Sequence, residues 1–278
     1  MLMLSFNGSY YSSLNTLPSP ALQVLLEGPV AKALWRIENG QVLFFETAYF
    51  ELMAQLRQLR VEVPMTFTME QLTPAIETLV EKAPTAPAYL LQYNFYRQEA
   101  ISPAKPMQEV DYTMTLTPLA HPLAAQPLQE QHIELYKDYF VGKDNSSSLL
   151  NAQERFAAWA NIFAYENGYT DCLLLNTKKE ILGSAKGNLY ALTEGRIQTP
   201  MPTETVTHSL TSSFNEWLQK QSEFEFDTVA FSPFELQKAE ELALLSLDTG
   251  LQPVTHYRKT NYKVRVLPSL FKAFLATL

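Results

Sequence analysis

The chain has 278 residues, of which 46% are hydrophobic, so it can form one large domain or two ordinary domains around a substantial core. Its 21 basic and 29 acidic residues leave a formal net charge of −8, and no run of five basic residues occurs, which argues against nucleic acids and anionic membranes as partners. No uncharged apolar stretch approaches the length of a bilayer, and the first four residues lack the features of a secretion signal, so the expected compartment is the cytoplasm.

The cysteine, the glycines and the histidines match none of the common patterns for disulfides, phosphate-binding loops or metal sites. The one cysteine, Cys172, excludes an internal disulfide, and its apolar neighbours predict a buried, inert thiol. The nine glycines form no phosphate-binding loop, so nucleotide binding has no support. The histidines lack the paired spacing of a metal site, so no metal is expected at any of the four, His121, His132, His208 and His256.

The first 117 residues predict an α/β domain. In chain order, the expected elements are a hairpin turning at Asn7-Gly8, strands 33–37 and 41–45 around a turn at 38–40, helices 47–59 and 68–82, and strands 88–96 and 110–117. A capping box of Thr68 and Gln71 is predicted to open the second helix.

Prolines at positions 118, 122 and 127 are expected to keep residues 118–131 extended, so this stretch is predicted to link the first domain to a second domain over 132–278. The second domain is expected to contain, in order, a helix from Ser147 or Ser148 to Tyr165, the strands of 171–200, helices 205–220 and 232–242, a strand 244–247 and a last strand or helix. The helix at 232 is predicted from Ser232-Pro233-Phe234-Glu235, which combines a capping box with proline at the first helical position.

The stretch from Asp171 to Pro200, DCLLLNTKKEILGSAKGNLYALTEGRIQTP, carries the most specific pattern. It predicts a strand, a turn, a glycine-containing loop, a second strand and a second turn. Its order and spacing resemble the signature of the fold type IV pyridoxal-phosphate enzymes, which include class IV aminotransferases, D-amino-acid aminotransferases and aminodeoxychorismate lyase. The matching residues are Asp171 to Asn176, Asn188 to Tyr190, Thr199 and Pro200.

The resemblance implies a two-domain α+β fold of the D-amino-acid aminotransferase type, a homodimer, and pyridoxal phosphate as cofactor. It also implies an amino-acid-like substrate. At one signature position the chain departs from the family: Gly183 stands where the family carries the glutamate that faces the pyridine nitrogen. That carboxylate keeps the ring protonated and electron-withdrawing, and glycine offers no charge.

By resemblance, Lys143 is the candidate catalytic lysine that would link to the cofactor, since it precedes an asparagine and a long helix. Lys143 lies 40 positions before Gly183, which exceeds the family interval by close to two helical turns. An ungapped count back from Gly168 instead places position 148, 149 or 150 at the lysine's place. Lys143 as an ordinary solvated lysine therefore stays open as an alternative.

The resemblance implies that two segments of the second domain bind the phosphate of the cofactor. Val206 and Thr207 match the family sequence at a helix start, with His208 in place of an arginine, and Ser246 and Thr249 supply hydroxyls in a turn that also holds Asp248. Simple helix capping by Thr205 or Thr207 is the alternative for the first segment.

In the first domain, the family's phosphate-binding arginine aligns with Glu51, and its histidine aligns with Ala48. A carboxylate repels phosphate, whereas an arginine binds it through two nitrogens. Arg36 and Arg97 fall where the family carries conserved or substrate-contacting arginines, so both are predicted substrate-binding residues, with an exposed strand-end arginine as the alternative for Arg97.

Two hypotheses of different classes follow. In one, the chain is a working aminotransferase or 4-amino-4-deoxychorismate lyase that uses pyridoxal phosphate. In the other, it is a descendant of that fold that has lost the cofactor and acts as a binding or scaffolding protein.

Overall fold

The computed structural model describes residues 4–65, 67–97, 110–142, 150–201 and 207–278. The chain divides into two compact units, Met1–Pro122 and Leu123–Leu278, each with its own sheet. The predicted linker, 118–131, lies across this boundary. None of the helices in the described ranges combines the length and the hydropathy that a bilayer-crossing helix requires.

The first unit contains a single antiparallel sheet with the strand order β2-β1-β6-β5-β3-β4. Its elements are β1 (Leu4–Phe6), β2 (Ser9–Tyr11), α1 (Ser19–Glu27), β3 (Ala31–Glu38), β4 (Gln41–Val42), α2 (Phe45–Gln58), α3 (Met69–Lys82), β5 (Ala88–Arg97) and β6 (Val110–Leu119). The apolar stripes of α2 and α3 pack with one face of the sheet in a core that includes Trp35, Leu52, Leu79 and Tyr93. The Trp35 and Tyr93 rings stack there with their centroids 5.6 Å apart.

Both hairpins predicted in this unit form, with Asn7 and Asn39 in the left-handed turn conformation. The strand predicted through residue 45 is too long, because Phe44 turns the backbone with a φ of +53° and α2 begins at the next residue. Thr68 precedes α3 as predicted, but the capping box is wrong in detail, since its side chain makes no capping hydrogen bond.

The second unit contains a mixed sheet with the strand order β12-β11-β10-β13-β14-β7-β8-β9, and β15 pairs with β14. Its elements are β7 (Gln131–Leu135), α4 (Leu150–Glu166), β8 (Asp171–Leu175), β9 (Ile181–Ser184), β10 (Asn188–Thr193), β11 (Arg196–Pro200), α5 (Ser209–Gln219), β12 (Glu225–Val229), β13 (Glu241–Ser246), β14 (Gly250–Tyr257), β15 (Thr260–Asn261) and α6 (Val266–Leu275). Three neighbouring pairs are parallel, namely β11 with β12, β14 with β7, and β7 with β8. Mixed helices and sheets in both units confirm the predicted α+β class.

Three predictions for this unit are corrected by the structure. The loop predicted inside the 171–200 signature contains a strand, β9, which pairs with β8. The helix predicted from Thr205 begins instead at Ser209, because the ring of His208 accepts a hydrogen bond from the Thr211 N–H and so caps the helix. The predicted cap at Ser147 or Ser148 of the long helix, now α4, lies outside the described residues.

The third correction concerns residues 232–242, which do not form a helix. The capping contacts do form, since Glu235 accepts from the Ser232 N–H at 2.7 Å, but only a short 3-10 turn, Glu235–Gln237, follows. From Glu241 onward the chain is β13, hydrogen-bonded to β10 on one side and β14 on the other. Pairing with β10 and β14 outweighs the local helix signal.

Candidate cofactor-site region

The residues predicted to hold the cofactor phosphate in the second unit lie at the start of α5 and in the turn between β13 and β14. Ser246 is 5% exposed and Thr249 is half-buried. Thr207 directly precedes the residue that caps α5, whereas Val206 lies outside the described residues. Lys143 also lies outside them, so the predicted cofactor lysine stays a prediction.

The β13–β14 turn is held by a hydrogen-bond network of its own. The Ser246 hydroxyl donates to Asp248 Oδ1 at 2.6 Å and lies 2.8 Å from the Thr249 hydroxyl. Because Ser246 has a single hydroxyl proton, which goes to Asp248, the Thr249 hydroxyl is the donor of the second bond. The Thr249 N–H donates to Asp248 Oδ1 at 2.9 Å as well. Both hydroxyl protons in the turn are therefore used inside it, and the network ends on a carboxylate.

His208 stands where the family carries an arginine, and it is neutral. Burial lowers the pKa of its imidazole to about 4, and the negative charge of Asp248 opposes this shift without reversing it. The Thr211 N–H lies 3.3 Å from Nδ1, which must therefore carry a lone pair. At neutral pH, His208 therefore caps α5 but supplies no positive charge.

The start of α5 is joined to the signature strand β10 by a second buried contact. The Thr211 hydroxyl donates to Asn188 Oδ1 at 2.8 Å, and both side chains are less than 5% exposed. Asn188 belongs to the signature recognised in the sequence, but its partner could not be found there because 23 positions separate the two residues. Ser209, in the first turn of α5, is 2% exposed, and among the described residues its hydroxyl has no hydrogen-bond partner.

Small residues in the signature allow two strands to approach closely. A Cβ atom built at Gly187 would lie 2.3 Å from the carbonyl oxygen of Leu245, which no side chain tolerates. The Gly187 N–H donates to Ser184 Oγ at 2.9 Å, which closes the turn between β9 and β10. Position 187 therefore requires glycine, because the backbone of β13 at Leu245 lies against it.

Gly183, at the family's glutamate position, lies within β9 opposite Leu174 and is buried. Its φ is +148°, a backbone angle that residues with a side chain rarely adopt. The position therefore lacks a carboxylate and also has a backbone conformation that a glutamate would adopt only with strain.

Asp171, the first residue of the signature, is a buried carboxylate that the sequence did not identify as unusual. It is 1% exposed, and burial raises its pKa to about 6, although hydrogen bonds from the Ser184 side chain and the Cys172 N–H oppose the shift. The neighbouring Cys172 is fully buried, and burial raises the pKa of its thiol to about 12. The prediction of a buried, inert thiol is confirmed.

In the first unit, the Arg36 guanidinium is fully buried. Its Nε donates to Glu38 Oε1 at 2.6 Å, and its Nη2 donates to the His121 carbonyl, also at 2.6 Å. These bonds tie β3 to the residues that follow β6. Glu51 lies on α2 and is half-buried. Arg97 ends β5, where its backbone is paired with that of Val110, and its side chain lies outside the described part of the chain.

A family model for class IV aminotransferases matches residues 34–257. The fold is similar to branched-chain aminotransferases from Thermoproteus uzoniensis (12% identity, TM-score 0.81) and Escherichia coli (16% identity, TM-score 0.81), each comparison covering 99% of this chain and 93% of the other. It is also similar to a protein described as a candidate 4-amino-4-deoxychorismate lyase from Legionella pneumophila, at 14% identity and a TM-score of 0.79, covering 94% of this chain and 96% of the other. No curated protein sequence matches. The two-domain fold type IV architecture predicted from the signature is confirmed.

Proposed function

Because this chain belongs to the class IV aminotransferase family, we propose that it keeps the family's fold but does not use pyridoxal phosphate, and that it acts as a cofactor-free binding protein. The observation that carries this proposal is the hydrogen-bond network of the β13–β14 turn, in which the Thr249 hydroxyl donates to Ser246 and the Ser246 hydroxyl donates to Asp248.

A phosphate group needs donors and positive charge. To donate to a phosphate, Thr249 has to give up its bond to Ser246, and the phosphate then lies close to the Asp248 carboxylate. Neutral His208 supplies no charge to offset that repulsion, because its pKa of about 4 lies well below neutral pH. In the sequence, Glu51 aligns by resemblance with the family's phosphate-binding arginine, so a carboxylate replaces a cation at that position.

The cofactor, where it is bound, supplies an electron-withdrawing ring that stabilises negative charge on the substrate. Gly183 cannot support that chemistry, because it has no carboxylate to hold the ring nitrogen protonated. The residues predicted to meet the phosphate and the ring nitrogen thus do not fit the cofactor. The ligand class we favour is a small amino-acid-like molecule without a phosphate. A homodimer and a cytoplasmic location are expected from the family.

A second candidate function is the family's own, an aminotransferase or 4-amino-4-deoxychorismate lyase with Lys143 linked to the cofactor. The observation that favours it is the Ser209 hydroxyl, which is 2% exposed and without a partner among the described residues, at the start of a helix whose N–H groups attract anions. Under this alternative, Val206, Thr207, Ser246 and Thr249 bind the phosphate, and Arg36 and Arg97 bind the substrate.

Titration with pyridoxal phosphate, followed by borohydride reduction and mass spectrometry, separates the two functions. The aminotransferase from Brucella abortus, whose structure contains the cofactor, serves as the positive control. We expect no change in the absorption band of the free cofactor and no lysine adduct in this chain at cofactor concentrations that saturate the control. A spectral change and an adduct that both disappear in Lys143→Ala contradict the cofactor-free proposal and support the enzyme.

A further inference from the structure

Two histidines that are 124 positions apart in the sequence lie side by side on the outer face of the second sheet. His132 is on β7 and His256 is on β14, and the two residues are directly paired across these parallel strands. Their ring centroids are 5.6 Å apart, with an angle of 62° between the ring planes. His256 is exposed and His132 is half-buried, so both rings can be reached from solvent.

A bulge in β14 produces this arrangement. Val254 pairs with Gln131, but His256, two residues later, pairs with His132, the very next residue of β7. The extra residue on β14 reverses the alternation of side chains, so that Val254 is buried in the core while His256 is exposed. Without the bulge, His256 would be expected on the core face with Val254.

The hydrogen bonds around His256 prepare one of its nitrogens to coordinate an ion. His256 Nδ1 lies 2.8 Å from the Thr255 hydroxyl, and that hydroxyl donates to the Gln131 carbonyl at 3.4 Å. With its proton on Gln131, the Thr255 hydroxyl accepts from an Nδ1–H. This assignment leaves the lone pair on Nε2, as in metal sites where the other ring nitrogen is held by a hydrogen bond. His132 is held by Tyr169, whose ring packs edge-on at a centroid distance of 5.1 Å.

The ring separation fits chelation of a single ion. Nitrogen–zinc bonds are about 2.0–2.1 Å long, which places the centres of two imidazoles on one tetrahedral ion about 5 Å apart. The observed centroid distance of 5.6 Å is close to this value. The described residues contain no cluster of three or more histidine, cysteine or acidic side chains, so water would complete the coordination.

We propose that His132 and His256 form a surface site for a late first-row transition-metal ion such as Zn²⁺, Ni²⁺ or Cu²⁺. Imidazole nitrogen favours these ions over Mg²⁺ and Ca²⁺, which take oxygen ligands. Glu134 on β7 forms an ion pair at 3.3 Å with Arg258, the residue that follows β14. The Lys186 ammonium is held at the Thr170 carbonyl at 2.6 Å. The preference for one metal ion over another therefore depends on the two imidazole ligands and not on nearby negative charge.

Calorimetric titration of the whole chain with ZnCl₂ tests the site. We expect one ion per chain with micromolar affinity, and a loss of at least about tenfold in affinity in both His132→Gln and His256→Gln, since even outer ligand contacts are worth that much. His121→Gln, which removes a histidine from the other unit, is the matched control and should bind as the unaltered chain does. MgCl₂ should give no heat.

A second measurement does not depend on comparing affinities between variants. Electron paramagnetic resonance of the Cu²⁺-loaded chain should show coupling to two imidazole nitrogens, and to one in either single variant. Absence of binding at millimolar Zn²⁺ overturns the proposal. Zn²⁺ binding that is unchanged in His132→Gln and in His256→Gln also overturns it. So does coupling to a single nitrogen in the unaltered chain. None of these outcomes depends on whether the chain binds pyridoxal phosphate.

Discussion

Ser246 and Asp248 share a 2.6 Å hydrogen bond in which the serine is the donor and the aspartate the acceptor. The bond places a carboxylate in the β13–β14 turn, which the sequence resemblance predicts to bind a phosphate. The same carboxylate acts on the imidazole of His208 at the start of α5. The two segments predicted to bind the phosphate, the start of α5 and the β13–β14 turn, thus interact through the negative charge of Asp248.

Replacing Asp248 with asparagine should raise the affinity for inorganic phosphate and for pyridoxal phosphate. The amide oxygen still accepts from Ser246, but the like charge is gone. Two unit charges 4 Å apart interact by about 1 kcal/mol in water and by about 4 kcal/mol at the effective dielectric constant near a protein surface, so we expect a gain of at least about fivefold in affinity. Equilibrium dialysis measures the change. Asp138→Asn, at an exposed position, controls for net charge, and equal affinities in the two variants would contradict the role given to Asp248.

His208 should make the protein less stable in mild acid. Its pKa falls from about 6.5 unfolded to about 4 folded, so the unfolded state takes up the proton first, and stability is lost as the pH falls from 6.5 to 4. His208→Asn keeps an N-cap acceptor but does not titrate. Relative to this variant, the native chain should lose on the order of 1–2 kcal/mol over that range, discounted for partial exposure. Urea unfolding at a series of pH values measures it, and a constant difference between the two chains would refute the prediction.

Asp171 should have the opposite effect. Its folded pKa of about 6 lies above the unfolded value of 3.8, so the folded state holds the proton more tightly and the native chain loses stability as the pH rises from 4 to 6. In Asp171→Asn this dependence is absent. The unfolding free energy of the variant minus that of the native chain should therefore increase by up to about 3 kcal/mol between pH 4 and pH 7. A difference that falls with rising pH would show that the buried carboxylate is stabilised in its charged form.

Glu241 should be essential for the C-terminal helix. Its buried carboxylate accepts from the Val266 N–H at 2.8 Å and from the Leu267 N–H at 2.9 Å, and so satisfies the first turn of α6. Glu241→Ala should lower the unfolding free energy by about 2–4 kcal/mol, because charge-assisted bonds to helix N–H groups are lost in a buried place. The neighbouring Glu240, paired with Lys263 at the surface, is the control, and Glu240→Ala should change stability little.

Gly187→Ala should force β13 away from β10. The new methyl group would lie 2.3 Å from the Leu245 carbonyl oxygen, and backbone cannot yield as a flexible side chain does. We expect a loss of about 1–3 kcal/mol by overpacking. Gly142→Ala, where no atom of the described residues lies within 4 Å of the added Cβ, is the control. Equal stability of the two variants in urea would contradict the close approach.

Much of the fold could be predicted because its signals are local. The Asn-Gly turns specify hairpins by the few backbone angles they permit, and the apolar spacing of α2 and α3 allows burial of only one helical face. Predictions failed where a distant partner competes with a local signal. Residues 232–242 contain a genuine capping contact, yet β13 forms because two strands offer it hydrogen bonds over its full length.

The residue types at the candidate site could be predicted from the sequence, but their protonation and hydrogen bonds could not. The resemblance shows that Gly183 and His208 replace residues of the family's cofactor site and that Asp248 lies beside two others. It does not show that the His208 imidazole is neutral, which depends on burial. Nor does it show the hydrogen bonds that use the hydroxyl protons of Ser246 and Thr249 within the turn.

By itself, the sequence determined the family, the order of most elements and the absence of a carboxylate at position 183. The tertiary structure alone decided which residues meet: it placed Asp248 near His208, set Thr211 against Asn188, and used one extra residue in β14 to bring His256 beside His132. The physical reason is that hairpins, caps and helical stripes depend on neighbours along the chain. Strand register, burial and charge contacts depend instead on residues that only folding brings together.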